Sequence, residues 1–129
     1  MKYELLTEKK EKIDGFRPIP TVLLKNLTEW FRVELTYTSN ALEGNTLTRQ
    51  ETALVVEKGL TIGGKNLQEH VEATNHAKAF DWIMNFVKHD PLQITEKDIV
   101  HIHEIILKGI DDDNAGHYQR VAVRISGSM

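Results

Sequence analysis

A mainly helical domain ending in one short β element is the fold this sequence predicts, and three observations carry it. Apolar residues recur at steps of three or four over 23–35, 71–87 and 99–110. Cap-like quartets stand ahead of helical stretches at Thr48-Arg49-Gln50-Glu51, Asn66 to Glu69 and Thr95-Glu96-Lys97-Asp98. The last segment changes period: Val121, Val123 and Ile125 alternate with Ala122, Arg124 and Ser126, as a strand or one arm of a hairpin would.

Taken in order, residues 1–17 mix both charges with few apolar positions before Pro18 and Pro20, which predicts an irregular arm over about 1–20 ahead of a domain over 21–129. Pro20 suits the start of a helix, and Leu23, Leu27, Trp30, Phe31 and Leu35 give that helix an apolar face over roughly 21–35. The run Ser39-Asn40-Ala41-Leu42-Glu43-Gly44-Asn45 continues it or stands after a short break, and Gly44 would end it in the left-handed conformation that glycine tolerates. Next comes a helix over 49–58, closed by Gly59, with Gly63-Gly64 marking a loop. A longer helix then carries Val71, Ala73, Ala77, Phe80, Met84 and Val87 on one face and ends before Pro91. Ile99, Ile102, Ile106 and Ile110 make the next stripe, and no internal repeat or low-complexity segment occurs.

With 129 residues, 40% of them hydrophobic, the chain fits one compact core. A charged fraction of 27% and a net charge of -3 lack the cationic footprint of a polyanion binder, so nucleic acid is a poor partner. A helix-turn-helix reader over 48–75 is disfavoured for the same reason. The absence of cysteine removes disulfides, thiolate zinc sites and a cysteine nucleophile and suits a reducing cytoplasm. No apolar run approaches the roughly 20 residues needed to span a bilayer, and no signal-peptide core comes after Met1-Lys2-Tyr3-Glu4, so no membrane association is expected.

Candidate chemistry among these residues is sparse. His101 and His103, two apart on a helix, point to different sides and cannot share a metal ion. His103 falls on the apolar stripe as a hydrogen-bonded core histidine, with His101 exposed. Asp111-Asp112-Asp113-Asn114 lacks the spacing of a calcium loop, Gly63-Gly64-Lys65 is a turn rather than a phosphate cradle, and no metal site is expected. Trp30, Phe31, Phe80, Trp82 and Phe86 read as core. Glu43 stands where the helix dipole mildly disfavours a carboxylate, by about 0.3–1 kcal/mol. Left to spacing alone, Glu43 is a solvated helix-end residue and Ser39, one turn earlier, a surface hydroxyl.

The surrounding pattern changes that reading. Ser39, Glu43 and Gly44 resemble the inhibition motif of Fic-domain proteins, a Ser or Thr, three variable residues, then Glu and Gly or Asn. Gly59, Gly64-Lys65, the run Glu69 to Asn75 and the Ile99–Leu107 stretch with His103 stand in the order that family uses. Gly116-His117-Tyr118, Val123, Ile125, Gly127 and Ser128 resemble its flap segment, with Gln119 where an arginine usually comes after the aromatic and Arg120 one place later. The resemblance covers about residues 30–129.

It implies an incomplete Fic-like helical bundle in which the inhibition helix precedes a flap over 116–128. Tyr118, Val121, Val123 and Ile125 would then align a target protein's chain by strand addition. The family transfers AMP from ATP to Ser, Thr or Tyr hydroxyls of proteins, using a later H-x-F-x-D/E-G-N-G-R-x-x-R motif and Mg2+. No such motif occurs in these residues. The chain is therefore expected to be the N-terminal regulatory portion of such a protein, catalytically silent and without ATP or Mg2+ of its own. Glu43 would be held ready for an arginine of the missing motif. The alternative is a non-enzymatic, antitoxin-like module acting in trans on a separate Fic core. An unfinished core would expose apolar surface and favour self-association into a homo-oligomer.

Overall fold

The computed structural model describes residues 3–124 and 126, and these hold five helices: α1 Glu4–Asp14, α2 Thr21–Leu42, α3 Arg49–Lys58, α4 Leu67–Phe86 and α5 Glu96–Leu107. The chain divides into two compact units, Met1–Phe31 and Arg32–Met129.

In the first unit, the irregular arm expected from the sequence is instead the helix α1. It has no buried residue, so no apolar period announces it. Its turns are tied by charge pairs at helical spacing, Lys10 with Asp14 and Glu8 with Lys12 at 2.9 Å, and Arg17 reaches back to Asp14 at 3.2 Å. The Lys10 hydrogen bond, with the charges of Lys10 and Arg17 behind it, holds the Asp14 carboxyl below its usual range. The first turns of α2 begin as Pro20 predicts, its carbonyl accepting from the Leu24 N–H at 2.9 Å. The aromatic pair expected in the core is not there: Trp30 is 55% and Phe31 42% exposed, packed edge to face on each other at 4.9 Å. The stripe is real, but about 30 residues have too little surface to cover it.

The second unit is built around α4. Its start is fixed by a capping box: Asn66 accepts from the Glu69 N–H at 2.9 Å, and Glu69 accepts from the Asn66 N–H at 3.2 Å. The Thr48/Glu51 and Thr95/Asp98 boxes start α3 and α5 in the same way, as their sequences predict. Gly59 closes α3 at φ +65°. Leu47, Val55 and the fully buried Ala73 form the centre of the core between α3 and α4, with Val56 and Ile62 packed on it.

The C-terminal half of α2 runs antiparallel to α4, since Arg32 meets Asp81 through two hydrogen bonds of 2.7 and 2.8 Å and Thr36 meets His76 at 2.9 Å. Helix α5 is antiparallel on another side of α4: Trp82 contacts the His101 ring at 5.1 Å, and Asn75 donates to the carbonyls of Ile106 at 3.0 Å and Lys108 at 2.7 Å. A buried asparagine of α4 thus satisfies carbonyls at the end of α5 that the helix itself leaves open.

The expected C-terminal hairpin or strand is not present among the described residues. Val121 to Arg124 are exposed and irregular, with Val121 at 73% and Val123 at 72%. Alternation supplies the two faces of a strand but not the neighbouring strand whose N–H and C=O groups would define it. Ile125, Gly127 and Ser128 lie outside the described residues.

Candidate functional site

Helix α2 runs straight through Ser39 and ends at Leu42, so the open choice between continuation and break resolves as continuation. Glu43 is its C-cap residue. The Gly44 N–H donates to the Ala41 carbonyl at 3.1 Å and the Asn45 N–H to the Asn40 carbonyl at 3.0 Å, while Gly44 takes φ +94°. These two bonds make a Schellman end, which needs a residue free to adopt positive φ at Gly44. No basic residue lies in the last turn of α2. The Glu43 carboxylate is exposed beside the negative end of the helix dipole and has no hydrogen-bond or ion-pair partner among the described residues. Ser39 is half-buried one turn earlier. Next to it the Asn40 side-chain amide is buried and its Nδ2 donates to nothing among the described residues, a cost of about 1–3 kcal/mol.

Beyond Gly44 the polar groups are, by contrast, fully engaged. The Asn45 Nδ2 donates to the Glu69 carbonyl at 3.1 Å and to Glu72 Oε2 at 2.8 Å, while its Oδ1 accepts from the Leu47 N–H at 2.9 Å. Glu69 Oε1 accepts from both the N–H and the hydroxyl of Thr46, at 2.8 and 2.6 Å. Lys65 Nζ donates to the Thr46 carbonyl at 2.7 Å and lies 3.8 Å from Glu51. The Thr46 hydrogen bonds to the ionised form hold the Glu69 carboxyl below its ordinary range, with smaller help from Asn66 and Lys65.

The end of α2 is therefore pinned to the first turn of α4. Sequence reasoning missed Asn45, Glu69 and Glu72 in this role. Glu69 is visible as the third residue of a cap, yet nothing local reveals that its second partner lies 23 residues earlier.

Arg49 fastens the other side of the segment. It meets Glu34 through 2.6 and 2.8 Å contacts and lies over the Tyr37 ring at 5.0 Å.

The second group of candidate residues stands on α5 and in the chain that comes after it. The chain after α5 turns back on it: the Gly109 N–H donates to Asp112 at 2.7 Å, the Gly116 N–H donates to His103 Nδ1 at 3.1 Å, and Glu96 close to the Tyr118 hydroxyl raises its pKa. A shallow groove of about 360 Å³ runs between Ile99, Val100 and His103 on one side and His117, Tyr118 and Gln119 on the other. His103 is hydrogen-bonded as expected but exposed rather than in the core, because its stripe faces this groove. His101 is exposed beside Glu104 at 3.3 Å.

Two other histidines are structural. His70 accepts from the Ile62 N–H at 2.9 Å through Nε2 and donates to the Asn66 carbonyl at 2.7 Å through Nδ1, fastening the Gly63-Gly64 loop. The Thr36 hydroxyl gives its proton to the Arg32 carbonyl at 2.7 Å, so His76 Nδ1 must be the donor in its bond with Thr36, and burial lowers the His76 pKa. No group of three or more His, Asp or Glu able to hold a metal ion occurs among the described residues, and no helix there is long and apolar enough to cross a membrane.

No family model and no solved structure matches the chain. Curated proteins do. It is 30% identical over 124 residues to protein adenylyltransferase Fic of Drosophila grimshawi, covering 96% of this chain and 25% of that protein. The like-named protein of Nematostella vectensis is 30% identical over 125 residues, 95% of this chain and 29% of the relative, and that of Aedes aegypti 26% identical over 128 residues, 99% and 26%. The chain spans about a quarter of the length of these relatives. The aligned stretch takes in the exposed Glu43, the pinned turn after it and the groove beyond α5, and across it this chain is a Fic-family sequence.

Proposed function

We propose that this chain is the regulatory portion of a Fic protein that transfers AMP from ATP to Ser, Thr or Tyr hydroxyls of target proteins, and that Glu43 is its autoinhibitory carboxylate. One observation carries the reading: Glu43 is an exposed acid with no partner among the described residues, at the unfavourable end of a helix whose following turn is tied to α4 through Asn45 and Thr46. A guanidinium from an H-x-F-x-D/E-G-N-G-R-x-x-R region would offset that charge, and while so held it could not orient the γ-phosphate of ATP. Ser39 and Asn40, whose amide has no partner among the described residues, lie in the last turn of α2 before Glu43.

In this reading the H-x-F-x-D/E-G-N-G-R-x-x-R region supplies the sites for Mg2+ and ATP and the general base, and this chain's residues supply regulation and target alignment. Val121 and Val123, exposed and without strand partners among the described residues, are the surface on which a target chain would align, with Tyr118 at its edge beside Glu96. Ile125 continues that surface in the reading from sequence.

The test is Glu43→Gly in a form of the protein that carries the H-x-F-x-D/E-G-N-G-R run. AMP incorporation from labelled ATP should rise by about tenfold or more, equivalent to about 1.4 kcal/mol off the barrier. A variant no more active than its parent overturns the reading. Inhibition of a separate Fic core by this chain added in trans, with no motif-bearing form of its own, would replace it by the antitoxin-like alternative.

A further inference from the structure

We infer that Asn45 is a positioning residue, a latch that holds the last turn of α2 against α4 and thereby sets where the Glu43 carboxylate stands; its regulatory meaning rests on the reading above. Asn45 is the second residue after Glu43, and its backbone N–H closes the Schellman end on Asn40. Its side chain uses both amide protons on α4, one on the Glu69 carbonyl and one on Glu72 Oε2, and uses its oxygen on Leu47. One residue therefore shares a hydrogen-bond network with the terminus of α2, the first turns of α4 and the start of the core at Leu47.

Thr46 strengthens the same junction through Glu69. Only Gly44 separates Glu43 from Asn45. Glu43 is held from α2 by its own N–H on the Asn40 carbonyl at 3.1 Å, and beyond Gly44 at φ +94° the Asn45 side chain ties that same terminus to α4. The exposed acid is thus aimed by a half-buried amide that never touches it.

The discriminating variant is Asn45→Asp. It preserves shape and the acceptor for the Leu47 N–H, but turns the two donors into a carboxylate oxygen facing Glu72 and the Glu69 carbonyl. Amide exchange at Gly44 and Asn45 should accelerate by roughly tenfold, while amides in the middle of α5 keep their rates. Adding Glu72→Gln to Asn45→Asp restores one bond with donor and acceptor reversed, and should return part of the protection. A merely destabilised fold would speed exchange in α5 as well and show no such rescue, and either result overturns the latch, as does unchanged exchange at Gly44 and Asn45.

The functional arm measures AMP transfer in the motif-bearing form. If Asn45→Asp raises it toward the level of Glu43→Gly, the positioning role stands. If Glu43→Gly activates and Asn45→Asp does not, the latch does not position the acid and the inference fails. If exchange responds as expected but neither variant changes transfer, the latch is real and the inhibitory reading of Glu43 is what fails.

Discussion

The first three turns of α4 and the stretch Tyr118 to Arg124 belong to the same unit and differ in how completely their groups are satisfied. Along α4, Glu69, His70, Ala73, Asn75, Ala77 and Ala79 are all buried, and each of its buried polar side chains has a partner on another segment. In the later stretch Tyr118, Val121 and Val123 are exposed, and no hydrogen bond or ion pair fixes Val121 or Val123 among the described residues. A helix meets its own backbone needs and leaves its side chains free for neighbours. An extended segment has its backbone groups open until another strand arrives. The first region is finished within these residues; the second offers a surface.

Matched truncations in the two regions should separate them most sharply. Leu47→Ala, which empties a buried position against Val55 and Ala73, is expected to lower unfolding free energy by about 2–5 kcal/mol in urea titrations. Val121→Ala should change it by no more than about 0.5 kcal/mol. Equal effects would show that the C-terminal stretch is packed after all.

A smaller effect isolates the polar half of the comparison. Asn75→Ala leaves the carbonyls of Ile106 and Lys108 without their donor, and should cost about 1–3 kcal/mol with faster amide exchange confined to the last turn of α5. Loss spread evenly over α4 would assign Asn75 a packing role instead.

The smallest effect is pH-dependent. Burial lowers the His76 pKa in the folded chain, so the unfolded chain binds the proton more readily in the window below the ordinary imidazole value of about 6.5. The stability contribution is fully present above that value and is lost as pH falls toward the folded pKa. Thermal midpoints should therefore decline between about pH 7 and 5, and His76→Gln, which can still bond Thr36, should flatten that decline.

The parts of the fold legible in the sequence are those whose cause is local. The Thr48/Glu51, Asn66/Glu69 and Thr95/Asp98 boxes act over three residues, and Gly44 and Gly59 act on their own backbone. Glu43 is visible as an acid in an uncomfortable place for the same reason. Helix α1 is not, because helix propensity and exposed charge pairs leave no apolar period to detect.

The Trp30 and Phe31 stripe misleads because periodicity reports which face is apolar, not whether anything covers it. The Asn45 junction escapes because its partners Glu69 and Glu72 lie 24 and 27 residues away and are polar, a pairing with no signature in spacing. The expected hairpin fails for the related reason that alternation cannot supply a neighbour.

Gly116 shows how much a single missing side chain can decide. At φ +73°, a Cβ there would stand 3.2 Å from the Cβ of Glu104, part of α5 itself rather than a pliable side-chain tip. Alanine would be strained in its torsions and Glu104 would have to give by a few tenths of an ångström, so the corner that sends the chain toward Tyr118 favours glycine. In a saturation library this half-hidden position should tolerate less variation than many of the fully enclosed ones, and its intolerance would trace a corner in the path of the backbone.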